Sequence, residues 1–186
     1  MPYSDPREMK PSVLLVNDIP DHVRTYEAAL RARDYDVQLT TSGAETLRTA
    51  PRLRPDCIVI DVRLVDMPGW ELCRRLKAER GVSRIPIVML VPDVSRQSLE
   101  HSRAAGCASW LMRPGAPDDL VRAIEHVLAH GGVQPGTHDA LINACSCPAC
   151  DSENVRAGVR VGAVQYFTCK ACQFRWRVDA EGTATA

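Results

Sequence analysis

Two kinds of apolar pattern alternate along the first 130 residues of this chain. Short runs with almost no charge cover residues 13–16, 57–60, 85–91 and 108–112. Runs of that length, rich in β-branched residues, read as strands buried on both faces, as in a parallel sheet. Residues 35–40 alternate apolar and polar and add one more strand. Helical spacing fills the gaps. Pro20 opens a helix through Arg33, at a position where its missing N–H costs nothing. Ser42 caps a short helix that is expected to end at Pro51. Pro68-Gly69 leads into a helix carrying Leu72, Cys73 and Leu76 that stops at Gly81. A weakly amphipathic helix over 95–105 ends at Gly106, a natural terminator. The last runs from 117 to 130, with Asp118 and Asp119 in its first turn. Its Leu120, Ile124, Val127 and Leu128 fall at i, i+4, i+7 and i+8, a core stripe.

Five strands alternating with five helices predict an α/β fold, a doubly wound five-stranded parallel sheet. Right-handed crossovers place the helices on both faces. The chain has 186 residues, room for one ordinary domain plus something small. Lys+Arg and Asp+Glu both number 23, so bulk charge points to neither nucleic acid nor an anionic membrane. The proline-containing first ten residues lack an apolar signal core. No apolar run approaches the roughly 20 residues of a membrane span. A cytoplasmic protein is expected. Composition changes near residue 131, because five of the eight cysteines crowd beyond it.

In an open parallel sheet, ligands bind at the carboxyl ends of the strands. Asn17-Asp18 follows the first strand, Asp61 ends the third and Arg113 follows the fifth. Two carboxylates and an amide could hold Mg²⁺, which takes few protein carboxylates and keeps several waters. A carboxylate can attack a phosphoryl group to form an acyl phosphate, and a cation across the pocket would stabilise its charge. No G-x-G-x-x-G follows the first strand, which excludes a dinucleotide site.

The stretches Val13-Leu-Leu-Val-Asn-Asp-Ile-Pro20, Asp61-Val-Arg-Leu-Val-Asp-Met-Pro-Gly69, Ile85-Pro-Ile-Val-Met-Leu-Val91 and Trp110-Leu-Met-Arg-Pro114 carry a resemblance. Over residues 11 to 130 the chain resembles the receiver domain of two-component response regulators, a flavodoxin-like fold. The resemblance implies that Asp61 is phosphorylated by a partner histidine kinase, with Mg²⁺ at Asp18 and Asp61 and with Asn17 at the place of the first acid. It also implies departures. Val91 stands at the switch Ser/Thr position and has no hydroxyl for the phosphoryl group. Trp110 is the switch aromatic, Arg113 replaces the usual Lys, and Pro92 stiffens a loop that normally moves. Arg is planar and bulkier than Lys, so the swap is not neutral.

Near the C-terminus, Cys147-Pro-Ala-Cys150 and Cys169-Lys-Ala-Cys172 form two C-x-x-C pairs separated by 18 residues. Each tight turn presents two thiolates, and two turns complete a tetrahedral zinc site. So short a segment cannot bury enough apolar surface alone, so structural Zn²⁺ would supply its stability. Short strands are expected over 159–161, 164–168 and 174–178, and the module looks like a zinc ribbon. Cys145 is a spare thiol that could stand in for Cys147. Phe174-Arg175-Trp176-Arg177-Val178 could meet nucleic acid. Between Cys145 and Val178, however, five basic residues face two acidic ones. The charge of the metal-thiolate centre leaves about +1, a weak footprint. An amphipathic strand or a protein-facing surface is the preferred reading. His126 and His130 lie i, i+4 on the last helix without a further ligand and are read as surface and cap residues.

The expected organisation is a tail over 1–11, a receiver over 12–130, a linker over 131–144, a zinc ribbon over 145–179 and a disordered tail over 180–186. The expected function is an atypical, non-enzymatic response regulator in a phosphorelay. Asp61 accepts phosphate, switching is weakened, and the ribbon contacts a protein or, second, nucleic acid, with no membrane involved. The alternatives are a phosphorylation-independent adaptor binding other signalling proteins, and an iron-thiolate redox protein.

Overall fold

The computed structural model describes residues 10–92, 96–113, 116–130, 149–150, 152, 155–161, 164–178 and 184–185. Strands β1 (Ser12–Val16), β2 (Asp36–Thr40), β3 (Cys57–Asp61), β4 (Ile87–Val91) and β5 (Ser109–Met112) pair in parallel in the order β2-β1-β3-β4-β5. Chain order reverses at β1, so the crevice beside β1 and β3 is the switch point of a doubly wound sheet. Register sets the edge. Val16 lies opposite Ile60, Asp61 opposite Leu90 and Val91 opposite Met112, so Asn17, Asp61 and Arg113 leave the sheet on one side.

Every residue of β3 and β4 is buried, because helices cover both faces. Alternate side chains of the strands serve two cores. Val13, Leu15, Val59, Val88 and Leu90 pack with Tyr26 and Leu30 of α1 (Pro20–Arg31) and Leu120, Ile124 and Val127 of α5 (Pro117–His130). Leu14, Val16, Ile58, Ile60, Met89 and Val91 pack with Ala50 of α2 (Gly43–Leu53) and Leu72, Cys73 and Leu76 of α3 (Gly69–Ala78). Helix α4 (Arg96–Ala104) precedes β5. Two-sided burial is the physical reason the strand segments read as apolar runs rather than as alternation.

Several boundaries differ from expectation. Helix α2 continues through Pro51 to Leu53 and ends only where Arg54 turns left-handed at φ 47°. A proline in the last turn keeps a helical φ and forfeits one backbone bond, so the stop comes from Arg54. Helix α3 ends at Ala78, ahead of Gly81, and β4 begins at Ile87.

The loop from β3 to α3 folds tightly onto the strand end. Gly69 N–H donates to Val62 O at 2.8 Å, and a Cβ on Gly69 would lie 2.4 Å from the Asp61 carbonyl oxygen. Only glycine permits this backbone approach. Asp66 in the same loop accepts from the N–H groups of Gly43 and Ala44, each at 2.8 Å, and so caps α2 from outside the helix. These bonds hold the Asp66 carboxyl below the usual carboxylate range.

Beyond the receiver lies a second, antiparallel sheet of β6 (Val155–Val161), β7 (Val164–Cys169), β8 (Arg175–Val178) and β9 (Ala184–Thr185). Strand β6 begins earlier than the expected 159–161, and β9 pairs with β8 inside the stretch read as a tail. Trp176 and Val178 of β8 are buried while Arg175 and Arg177 are exposed, which is the amphipathic-strand reading. Phe167 and Trp176 face each other across β7 and β8, with ring centroids 5.5 Å apart. Trp110 and Met112 of β5 pack against this cluster, joining it to the receiver sheet. The proposed linker and Cys145 and Cys147 lie outside the described residues.

Gly69→Ala is expected to lower the unfolding free energy by about 1–3 kcal/mol through overpacking against the Asp61 backbone, measured by urea denaturation of the full chain.

Candidate functional site

The end of β3 buries a carboxylate. Asp61 is fully buried, and each of its oxygens is engaged. Oδ1 accepts from the Arg63 backbone N–H at 2.8 Å, and Oδ2 accepts from Asn17 Nδ2 at 3.1 Å. Arg113 Nη1 lies 2.7 Å from Oδ2 in an ion pair whose side chains are 3% and 0% exposed. Arg113 is aimed there by its own backbone: its N–H donates to Val91 O at 2.7 Å, which extends the β4–β5 ladder by one residue.

Burial is the largest influence on Asp61 and pushes its carboxyl pKa up, with the nearby Asp18 charge acting the same way. The Arg63 N–H bond and the Arg113 charge pull in the opposite direction. The folded chain therefore takes up a proton at Asp61 at a higher pH than the unfolded chain does. That contribution favours the fold below the unfolded pKa and is lost as pH rises through the folded pKa.

Arg113 is itself buried, and its guanidinium nitrogens lack a partner with hydrogen-bond geometry among the described residues. A buried guanidinium with free donors beside a carboxylate is suited to receive the oxygens of an anionic group. Asn17 is held by its own amide. Its Oδ1 accepts from Ile19 N–H at 2.8 Å, which turns Nδ2 toward Asp61. Asn17 therefore faces Asp61 as a donor. Asp18, half-buried, and the fully buried Asp61 supply two carboxylates, a number that suits Mg²⁺ with its retained waters.

Of the two switch positions, Val91 is fully buried in the α3-side core. Trp110 is half-buried and touches both that core and the C-terminal cluster. The sequence reading missed two contributors. One is the Arg63 main-chain N–H, since backbone donors leave no mark in side-chain identity. The other is Asp66, visible only as an acidic residue in the loop.

In the C-terminal sheet, the Sγ atoms of Cys150, Cys169 and Cys172 lie within 4.8 Å of one another, a group that could hold a metal ion. Cys150 and Cys169 are 3.7 Å apart. Tetrahedral Zn–S bonds of about 2.3 Å would set sulfurs about 3.8 Å apart. Backbone N–H groups of Cys172 and Ala171, with the Cys172 and Cys150 thiols, bring the Cys169 thiol down to about 7. Gln173 in the left-handed region, φ 62°, with its N–H donating to Cys169 O, shapes the turn that aims Cys169 and Cys172 together.

Comparison with known proteins then decides the family. A profile described as the response regulator receiver domain matches residues 13–125, more than half of the chain. This chain belongs to the response regulator receiver family. It is 29% identical over 127 residues to the DNA-binding response regulator MtrA of Mycolicibacterium smegmatis, a match covering 68% of this chain and 54% of that protein. It is 33% identical over 106 residues to the response regulator PleD of Caulobacter vibrioides, covering 57% of this chain and 23% of PleD. The chain thus spans about half or less of the length of these curated relatives. Among solved structures, it superposes with a TM-score of 0.61 on the chemotaxis response regulator CheY4 of Vibrio cholerae, at 27% identity, covering 64% of this chain and 99% of that one. It superposes equally, with a TM-score of 0.61 and 30% identity, on the receiver domain of a sensor histidine kinase of Pseudomonas aeruginosa. That match covers 65% of this chain and 99% of a structure in which a magnesium ion is coordinated in the active-site cleft. The receiver assignment and its five-stranded parallel fold therefore stand. No described helix is long and apolar enough to cross a membrane.

Arg113→Met leaves Asp61 buried and without its counter-charge, so it is expected to cost about 3–5 kcal/mol of stability at neutral pH. The loss should shrink as pH falls and Asp61 protonates, a trend read by urea unfolding across pH in EDTA.

Proposed function

We propose that this chain is a response regulator whose Asp61 accepts a phosphoryl group from a histidine kinase, while the conformational response to that group is weak. The observation that carries the acceptor role is the Asp61–Arg113 pair, with buried guanidinium donors left for an incoming anion. In the transfer, an Asp61 oxygen forms a bond to phosphorus, the bond from phosphorus to the donor imidazole nitrogen breaks, and the imidazole leaves. The Arg63 N–H, which now bonds Oδ1, keeps the nucleophile oriented. Arg113 and the Asn17 amide face the charge that builds on the phosphoryl oxygens. Asp18 and Asp61 would hold a magnesium ion, which would supply further charge neutralisation.

Weak switching follows from Val91 and Trp110. Moving a two-state equilibrium from 1:99 to 99:1 takes about 5.5 kcal/mol of differential interaction. A hydrogen bond to a charged group contributes roughly 1.5–3 kcal/mol. Val91 cannot make that bond, and Trp110 packs against two apolar clusters. A phosphorylation-independent adaptor is the second reading. It is favoured by the same ion pair, which already neutralises Asp61 without phosphate.

The C-terminal sheet is read as a zinc ribbon held by Cys147, Cys150, Cys169 and Cys172, acting as an interaction module toward a protein. Support comes from the cluster of three thiols and from the inward Trp176 and outward arginines of β8. Burial of Trp176 argues against base stacking by this strand. Iron in place of zinc would show as colour and in elemental analysis.

Radiolabel from a phosphorylated histidine kinase or a small phosphoramidate should appear on the wild type and be absent from Asp61→Asn. Equal absence from both would eliminate the acceptor role and leave the adaptor. Elemental analysis should find about one zinc per chain. Its removal by chelator at neutral pH should melt the C-terminal sheet, followed by Trp176 fluorescence, while the receiver keeps its far-ultraviolet circular dichroism.

A further inference from the structure

Two cysteines play no part in either site described above. Cys73 lies in the middle of α3 and is fully buried, and Cys107 stands half-buried in the turn between α4 and β5. Their sulfurs are 3.5 Å apart, although 34 residues separate them in sequence. The surroundings fix both. Cys73 Sγ also donates to Ala105 O at 3.3 Å, and Cys107 N–H donates to Ser102 O. Gly106, at φ +80°, makes the turn that brings Cys107 back over α3. One helical turn beyond Cys73, Lys77 bonds Ser83 O and Ile85 O, and a Cβ on Gly106 would lie 3.5 Å from its Cγ. Those two carbonyls hold the Lys77 ammonium on the same stretch of α3.

From this geometry we infer that Cys73 and Cys107 form a redox-active dithiol that closes to an intramolecular disulfide on exposure to a hydroperoxide. A disulfide needs sulfurs about 2.05 Å apart, so closure asks for about 1.5 Å of approach. In the reaction one thiolate attacks a peroxide oxygen, the O–O bond breaks and an alcohol or water departs, leaving a sulfenic acid. The second sulfur attacks that sulfenic sulfur, the S–S bond forms, and the S–O bond breaks to release water. The two thiols are oxidised and the peroxide is reduced. Contact with Cys107 and the Lys77 charge hold the Cys73 thiol below the usual range, which favours a reactive thiolate within the pair. The bond ties α3 to the turn that feeds β5, the strand carrying Trp110 and leading to Arg113.

The test treats the full-length, metal-loaded protein with hydrogen peroxide in slight excess, alkylates remaining thiols under denaturing conditions, and maps tryptic peptides. The inference predicts a linked pair of peptides 64–74 and 104–122, abolished by dithiothreitol. Cys107→Ser should lose this species and leave Cys73 alkylated or singly oxidised. Peptide mapping separates this bond from any formed among the C-terminal cysteines, and the wild-type result stands even if a variant folds poorly. The inference is overturned if Cys73 and Cys107 are recovered as separately alkylated thiols, as separate sulfinic acids, or linked only to other cysteines.

Discussion

A buried ion pair at the end of the central strand governs this receiver. Taking Asp61 and Arg113 out of water costs several kcal/mol per ion, and mutual attraction at 2.7 Å offsets that cost only while both partners stay in place. The surrounding structure enforces the geometry. Register places Asp61 at the end of β3, the Val91 carbonyl fixes the Arg113 backbone, Gly69 lets the loop after β3 fold back onto the Asp61 and Val62 backbone, and the Arg63 N–H bonds the carboxylate within the local turn. Asn17 completes the set by turning its amide nitrogen inward. Four segments distant in sequence thus converge on one buried carboxylate.

The same edge lies next to the second sheet. Half-buried Trp110 packs against both the α3-side core and the cluster of Phe167 and Trp176. An aromatic residue held in two apolar environments resists rotation, because leaving either exposes buried surface at roughly 25 cal/mol per Å². Val91 beside it supplies no hydroxyl that could reward such a rotation. On the proposed reading, loading of Asp61 and movement of β5 would be separable in this chain.

Much of the fold was legible in the primary structure because burial on both faces leaves an unmistakable trace, as in residues 57–60 and 87–91. Boundaries were less so. Pro51 looked like a helix stop, but a proline in a final turn is tolerated, and left-handed Arg54 ends the helix instead. Strand β9 escaped notice because Ala184 and Thr185 form a two-residue edge whose pairing depends on β8, with no periodicity of its own. At the site, Asp61, Arg113, Asn17 and Asp18 were readable as residue types at strand ends. The direction of the Asn17 amide and the part played by the Arg63 N–H were not, since both follow from hydrogen-bond geometry. The C-x-x-C spacing foretold the approach of Cys150, Cys169 and Cys172. Nothing in the sequence pairs Cys73 with Cys107, because their contact exists only through the packing of α3 on the α4–β5 turn.

On the proposed reading, Asp61 takes up a phosphoryl group while β5 and Trp110 stay in place. Backbone and indole chemical shifts of the full chain, recorded with and without beryllofluoride as a phosphoryl mimic, distinguish the two outcomes. Shifts should be confined to residues around 16–18, 61–63 and 113, with the Trp110 indole and the C-terminal sheet unmoved; displacement of α4, β5 and Trp110 as large as that of an ordinary receiver would rule out weak coupling.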